Sequence, residues 1–255
     1  MFMHSKVSLR KIIAASALAV AVGVLAVPLV AQDKGSFSNQ QRDQVKGLVR
    51  EYILENPEVI REAIMALQAK EEKASADRKY EALATHKDAL LNPSENTIIG
   101  NPEGDVTVVE FFDYNCGYCK SMLPAVKEVL EEDRDVRMVM KEFPILGPGS
   151  VVAARAALAS RAQGKYAELH MALLSHKGAL NQGSIEGIAM GIGLNVKKLR
   201  ADMAKPEINE ILGNNMALAR DLGIEGTPAL IIGETIVPGA IGVDRLRDLI
   251  ADARN

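Results

Sequence analysis

The only two cysteines of this 255-residue chain, Cys116 and Cys119, stand two residues apart in the stretch VTVVEFFDYNCGYCK. The β-branched and aromatic run from Val106 to Phe112 reads as a strand. A helix is expected to start inside the cysteine motif and run to about Glu132, and VRMVMKEFPI reads as the next strand. The pair therefore sits at the strand-to-helix junction of a β-α-β unit. A bridge closing so short a loop stabilises little, which argues against a purely structural disulfide. Half a zinc site needs further ligands, and His4, His86, His170 and His176 form no second ligand pair. A redox-active pair is the reading that uses the neighbourhood.

At a helix N-terminus, unpaired backbone N–H groups and the macrodipole favour an anion. Thiols so placed titrate at about 3.5–7.5 instead of about 8.5. Cys116 is thus the expected nucleophile. Cys119, one turn inside the helix, is the expected shielded, resolving thiol. Gly117 and Tyr118 between them tune the potential, where about 30 mV corresponds to about 1.4 kcal/mol for a two-electron couple. His170 and His176 read as surface helix positions. The scattered methionines read as core filling, not copper ligands.

The N-terminus sets the compartment. Lys6, Arg10 and Lys11 precede the apolar run IIAASALAVAVGVLAVPLVA, which has the layout of a secretory leader. Residues 1–31 are expected to be a signal peptide, cleaved after Ala26 or Ala31, or else a retained membrane anchor, since the run is nearly long enough to span a bilayer. Either way the rest of the chain is exported, with a bacterial periplasm as the expected location, and that compartment permits disulfides. The net charge of −3, with no basic cluster after the leader and no tryptophan, argues against nucleic acid as a partner.

Residues 32–93 read as helical. Ser38 is placed to cap a helix bearing Val45, Leu48, Val49, Tyr52 and Ile53 at helical spacing. Asn56–Pro57 breaks it, with Pro57 at the first position of a second helix carrying Ile60, Ala63, Ile64 and Leu67. QAKEEKASADRK is polar all round, and apolar character resumes at Tyr80, Leu83 and Leu90. A straight helix of about 55 residues would reach roughly 80 Å. Its stripes pack either on the chain's own catalytic domain or on further copies as an oligomerisation stalk, which the polar connector favours. Residues 94–255 follow the order β-α-β, helices, β-β-α. TIIG forms a short opening strand. An insertion of about residues 148–222 is punctuated by Gly164, Gly178, Gly183, Gly187, Gly191, Gly193 and Gly213. PALIIG and ETIVPG form two strands turning at Gly233–Glu234, and Val243–Ala253 closes the chain as a helix.

The stretches VVEFFDYNCGYCK and GIEGTPALIIG, with the helical insertion between them, resemble the DsbA-like thiol–disulfide oxidoreductases over about residues 95–253. The resemblance implies an α/β class: a thioredoxin fold with a helical insertion, preceded here by the N-terminal helical oligomerisation segment. EYILENPEVIREAIMALQ resembles the N-terminal extension of the suppressor-of-copper-sensitivity protein C group (ScsC, Com1-like), whose members are periplasmic and in some cases oligomeric disulfide isomerases. Thr227–Pro228 matches the family's substrate-binding cis-proline loop, which faces the cysteines and leaves backbone groups free for a client strand; the alternative is an ordinary trans proline opening a strand. Glu110 falls where the family carries a buried acid able to relay a proton to or from Cys119; the alternative is an exposed strand carboxylate. The Cys-Gly-Tyr-Cys pair differs from the Cys-Pro-His-Cys of DsbA oxidases and shares its dipeptide with the isomerase DsbC.

The expected function is disulfide exchange with protein substrates, as an isomerase or reductase. A DsbA-type dithiol oxidase is the first alternative, and a non-enzymatic chaperone or copper-binding protein the second. No cofactor is expected beyond a redox-active Cys116–Cys119 disulfide, and no metal. The expected partners are misfolded or reduced exported proteins and a membrane redox protein, either a ScsB/DsbD-like reductant or a DsbB-like oxidant. Further copies of the chain complete the set, with a trimer as the guess.

Overall fold

The computed structural model describes residues 37–93 and 97–255, so the expected leader and its cleavage positions lie outside the described residues. The chain divides into two compact units after Ala63.

The first unit holds helix α1 (Asn39–Glu55) and the start of α2 (Glu58–Thr85). Ser38 caps α1 as the sequence suggests: its hydroxyl accepts from the Gln41 amide, and the Gln41 side chain accepts from the Ser38 amide. This reciprocal pair satisfies two of the donors a helix start leaves open. The expected break falls at Asn56–Pro57, with Pro57 immediately before the first helical residue of α2. No residue of α1 is buried. Leu48, Val49 and Tyr52 are 65%, 52% and 57% exposed, and Ile60, Ile64 and Leu67 on α2 are similarly open. The polar stretch that reads as a connector is part of α2, which continues through it to Thr85.

The second unit is built on a five-stranded sheet of order β1-β3-β2-β4-β5. Its strands are β1 (Ile98–Gly100), β2 (Val106–Phe112), β3 (Val136–Glu142), β4 (Ala229–Ile232) and β5 (Thr235–Pro238). β2 and β3 run parallel, with Glu110 opposite Met140 and Phe112 opposite Glu142. β4 is antiparallel to β2, and β5 to β4. The central strands are covered on both sides, which explains the nearly unbroken apolar run in β2. One face, carrying Val108, Phe112, Met138 and Met140, packs under α4 (Gly117–Glu132), the closing helix α10 (Val243–Arg254) and part of the insertion. The other, carrying Val109, Phe111, Val139 and Ile231, is covered by Leu83 of α2, Leu90 of the short α3 (Lys87–Leu91) and the end of α9 (Pro206–Asp221). The last stretch of the expected stalk thus contributes to the sheet's core.

The insertion comprises α5 (Pro148–Ser160), α6 (Tyr166–Ser175), α7 (Gln182–Gly191), α8 (Val196–Met203) and α9. Gly164, Gly178 and Gly193, at positive φ, separate helices. Gly183, Gly187 and Gly213 instead lie within helices, a correction to their reading as punctuation: burial of helix neighbours such as Ile185, Ala189 and Leu212 outweighs the modest helix penalty of a single exposed glycine. His170 is a second correction. It is buried on α6, not at the surface. Met122, Met138 and Met140 fill the core as expected, whereas Met65, Met190 and Met216 are exposed.

Candidate active site

The site forms where β2 stops. Phe112 ends the strand, residues 113–115 turn, and Cys116 is the N-cap of α4. The Asp113 carboxylate shapes the turn, accepting from the Asn115 amide at 2.7 Å and the Leu146 amide at 3.0 Å. The Cys116 amide donates to the Asp113 carbonyl. Both cysteines are free thiols in this structure.

The Cys116 sulfur takes the place of a capping oxygen. It accepts from the Cys119 amide at 3.3 Å, satisfying one open donor of the helix start. Its own S–H donates to the Thr227 carbonyl at 3.2 Å. Thr227 and Pro228, joined by a cis peptide, thus lie against Cys116 although more than a hundred residues separate them in the chain. Cys119 faces the core at 1% exposure, and burial pushes its thiol pKa far up; the Asp113 backbone opposes that rise, while the Glu110 carboxyl adds to it. Glu110 points from β2 into the same face and is buried, so its pKa is pushed up to about 8. The acid is therefore interior, not an exposed strand carboxylate. It holds a proton near neutrality and is electrostatically coupled to Cys119. Gly117 and Tyr118 are exposed at the rim. Among the described residues, no group of three or more His, Cys, Asp or Glu could hold a metal ion.

The structure adds residues that pattern-reading did not single out. Asn115 donates to the Ser150 hydroxyl at 3.0 Å, tying the turn to α5. Gly149, next to Ser150, lets the Leu180 carbonyl approach α5, since a Cβ there would stand 2.5 Å from that oxygen. Lys120, just after the motif, donates to the His176 carbonyl at 2.8 Å. Ile145 and Leu146 leave apolar surface exposed on the loop bonded to Asp113. Beneath the turn, Glu142 accepts from both Tyr114 and Tyr166. The residue types in DYN and KEFPILG give a signal of unusual polarity next to strands, but no spacing rule pairs them.

Residues 107–251 match the family model of the DSBA-like thioredoxin domain, and residues 41–74 match that of the copper resistance protein ScsC N-terminal domain. The chain belongs to the DSBA-like thioredoxin domain family. A thioredoxin-like oxidoreductase from Silicibacter pomeroyi DSS-3 is 46% identical, with 66% of this chain and 96% of that one covered and a TM-score of 0.64. Proteus mirabilis ScsC in a transitional conformation is 34% identical, covering 86% of this chain and 97% of that one, with a TM-score of 0.63. The match to ScsC thus includes the N-terminal helices. Among curated proteins, a Na(+)/H(+) antiporter NhaA 1 of Salinispora arenicola is 29% identical over 165 residues. The chain spans about a quarter of that relative's length, with 64% of the chain and 25% of the antiporter covered. The family to which the chain belongs is one of thiol–disulfide oxidoreductases of the DsbA and ScsC type.

Proposed function

We propose that this chain is a periplasmic disulfide isomerase or reductase that works as a homo-oligomer on misfolded exported proteins. The observation that carries the reading is the pairing of two features. One is a cysteine sulfur held between a helix-start amide and the Thr227 carbonyl. The other is a run of apolar side chains on α1 and α2 left open in the single chain. The Cys116 thiolate attacks a client disulfide, and the client sulfur that leaves takes up a proton. The product is a mixed disulfide. A second client thiolate then displaces Cys116 for isomerisation. In reduction, the protonated Glu110 relays a proton, giving its own toward the departing client sulfur and taking that of Cys119, whose sulfur displaces the client as a thiol, leaving the Cys116–Cys119 disulfide for a membrane reductant of the ScsB or DsbD kind to recharge. The pair itself is the redox centre, and no added cofactor enters these steps. The Thr227–Pro228 loop offers backbone groups to a client strand, and Tyr118, Ile145 and Leu146 offer apolar contact.

Isomerisation needs the client kept in place while its bonds rearrange. Several sites in one assembly make the second contact effectively intramolecular, and an apolar stripe without a cis partner is suited to holding copies together. Among the described residues no helix is long and apolar enough to cross a membrane. The test compares the chain from residue 32 with one lacking residues 37–75, at equal active-site concentration. The longer form should reactivate scrambled ribonuclease with a reductant present, and the shorter should lose most of that activity while still oxidising a reduced peptide. Equal isomerase rates would sink the oligomer argument. Strong oxidation without isomerisation in the longer form would make the protein a DsbA-type oxidase.

A further inference from the structure

Beneath the active-site turn lies a closed polar cluster that the exchange steps leave unused. Glu142, at the end of β3, is 1% exposed and accepts from the Tyr114 hydroxyl at 3.0 Å and the Tyr166 hydroxyl at 3.1 Å. Nδ1 of the buried His170 lies 3.1 Å from the same Tyr114 oxygen. A phenol has one proton. Given to Glu142, it leaves the oxygen to accept from an Nδ1–H of neutral His170. Burial pushes His170 down to about 3, which keeps the imidazole neutral. The Tyr114 ring is clasped edge-on by Phe112 and His170, at centroid distances of 5.0 and 5.6 Å. Buried polar groups are costly unless paired, so these hydrogen bonds and ring contacts hold Tyr114 in place.

Tyr114 belongs to the turn that delivers Cys116. Its neighbours are anchored too, Asp113 to the Leu146 amide and Asn115 to Ser150. Tyr114 alone among the three reaches across to β3 and α6. We propose that Tyr114, held by Glu142, is a positioning residue for Cys116: it sets the turn so that the sulfur meets the Cys119 amide and the Thr227 carbonyl. The proposal rests on the redox reading of the pair and deepens it. The reduced sulfur both accepts from the Cys119 amide and donates its S–H to the Thr227 carbonyl, whereas a disulfide sulfur has no proton to donate. A turn that drifts therefore weakens the reduced form more than the oxidised one. Losing the Tyr114 hydroxyl shifts the balance toward the disulfide. In exchange with glutathione, the dithiol gives two electrons and two protons to glutathione disulfide, leaving the protein disulfide and two glutathione thiols.

Tyr166 supplies the internal control, because it bonds the same carboxylate from α6 and is not part of the turn. The experiment equilibrates the intact protein, Tyr114→Phe and Tyr166→Phe with glutathione buffers of graded ratio and counts dithiol by alkylation. Tyr114→Phe should move the equilibrium about threefold or more toward the disulfide, and Tyr166→Phe less than about twofold. Equal shifts, or none in either variant, overturn the positioning role. If Tyr114→Phe lacks the native far-ultraviolet spectrum, Glu142→Leu replaces it. That variant removes the acceptor of the Tyr114 hydroxyl and should move the equilibrium about threefold or more toward the disulfide; a shift under about twofold overturns the proposal. A parent dithiol that exchanges at no glutathione ratio defeats the redox reading itself, whereas an exchanging parent with matched variants defeats only the positioning role.

Discussion

The helix α1 and the sheet-built unit solve opposite problems with the same amino-acid vocabulary. In α1 the large apolar side chains face water, and the visible support is local: the Ser38–Gln41 capping box and an exposed Lys46–Asp43 pair. Exposed pairs of that kind contribute only about 0–1 kcal/mol, and isolated helices of this length are marginal. In the sheet unit even polar side chains are interior, among them Glu110, Glu142 and His170. The contrast teaches that exposure of leucine and burial of glutamate are both costs, tolerated where they serve something else. For the helix the service we propose is association; for the sheet it is the placement of two thiols.

The sharpest way to test the contrast is pH. Burial raises Glu110 from 4.5 to about 8, so the folded chain keeps a proton that the unfolded chain releases. The stability this group contributes is complete below about pH 4.5 and is lost as pH rises through about 8. At about 1.36 kcal/mol per pKa unit the loss approaches about 5 kcal/mol as an upper bound. Glu110→Gln should therefore be more stable than the parent above pH 8 and gain little near pH 4, as read by urea denaturation. His170 acts on the other side. Its pKa falls from 6.5 to about 3, so its contribution is present above about pH 6.5 and lost as pH falls through about 3. His170→Gln should flatten that acid limb.

A smaller effect separates the two regions by packing. Leu169 is fully buried and Leu48 is 65% exposed. Leu169→Ala should cost about 2–5 kcal/mol in denaturant titration. Leu48→Ala should stay within about 0.5 kcal/mol in dilute solution, yet weaken association seen by light scattering. If Leu48→Ala unfolds the dilute protein as Leu169→Ala does, the two regions are not energetically distinct. The smallest expected change is Ser38→Ala, which removes the cap for about 1 kcal/mol of helix stability and should show as fraying of α1 in amide exchange, with the sheet unit's protection untouched.

Much of the architecture was legible because it depends on neighbours in the chain. The strands around Val106–Phe112 and Val136–Glu142, the helix starting in the motif, the hairpin at Gly233–Glu234 and the Ser38 cap all follow from residues within one or two turns of each other. Gly183, Gly187 and Gly213 misled because helix-breaking is a weak preference that packing overrides. His170 misled for a related reason: polarity alone cannot tell a solvated imidazole from one locked against Tyr114.

The sequence by itself determined that a close pair of cysteines would stand at a helix start, that an apolar stripe would run along α1, and that the order of elements would be that of a thioredoxin fold with an insertion. Only the tertiary structure decided which polar groups went inside. Tyr114 meets Glu142 across 28 residues of chain and His170 across 56, and Cys116 meets Thr227 across 111. Periodicity reports which face a residue occupies on its own element. It carries no information about which distant side chain will share that interior, because burial of a polar group is tolerable only once the partner has arrived.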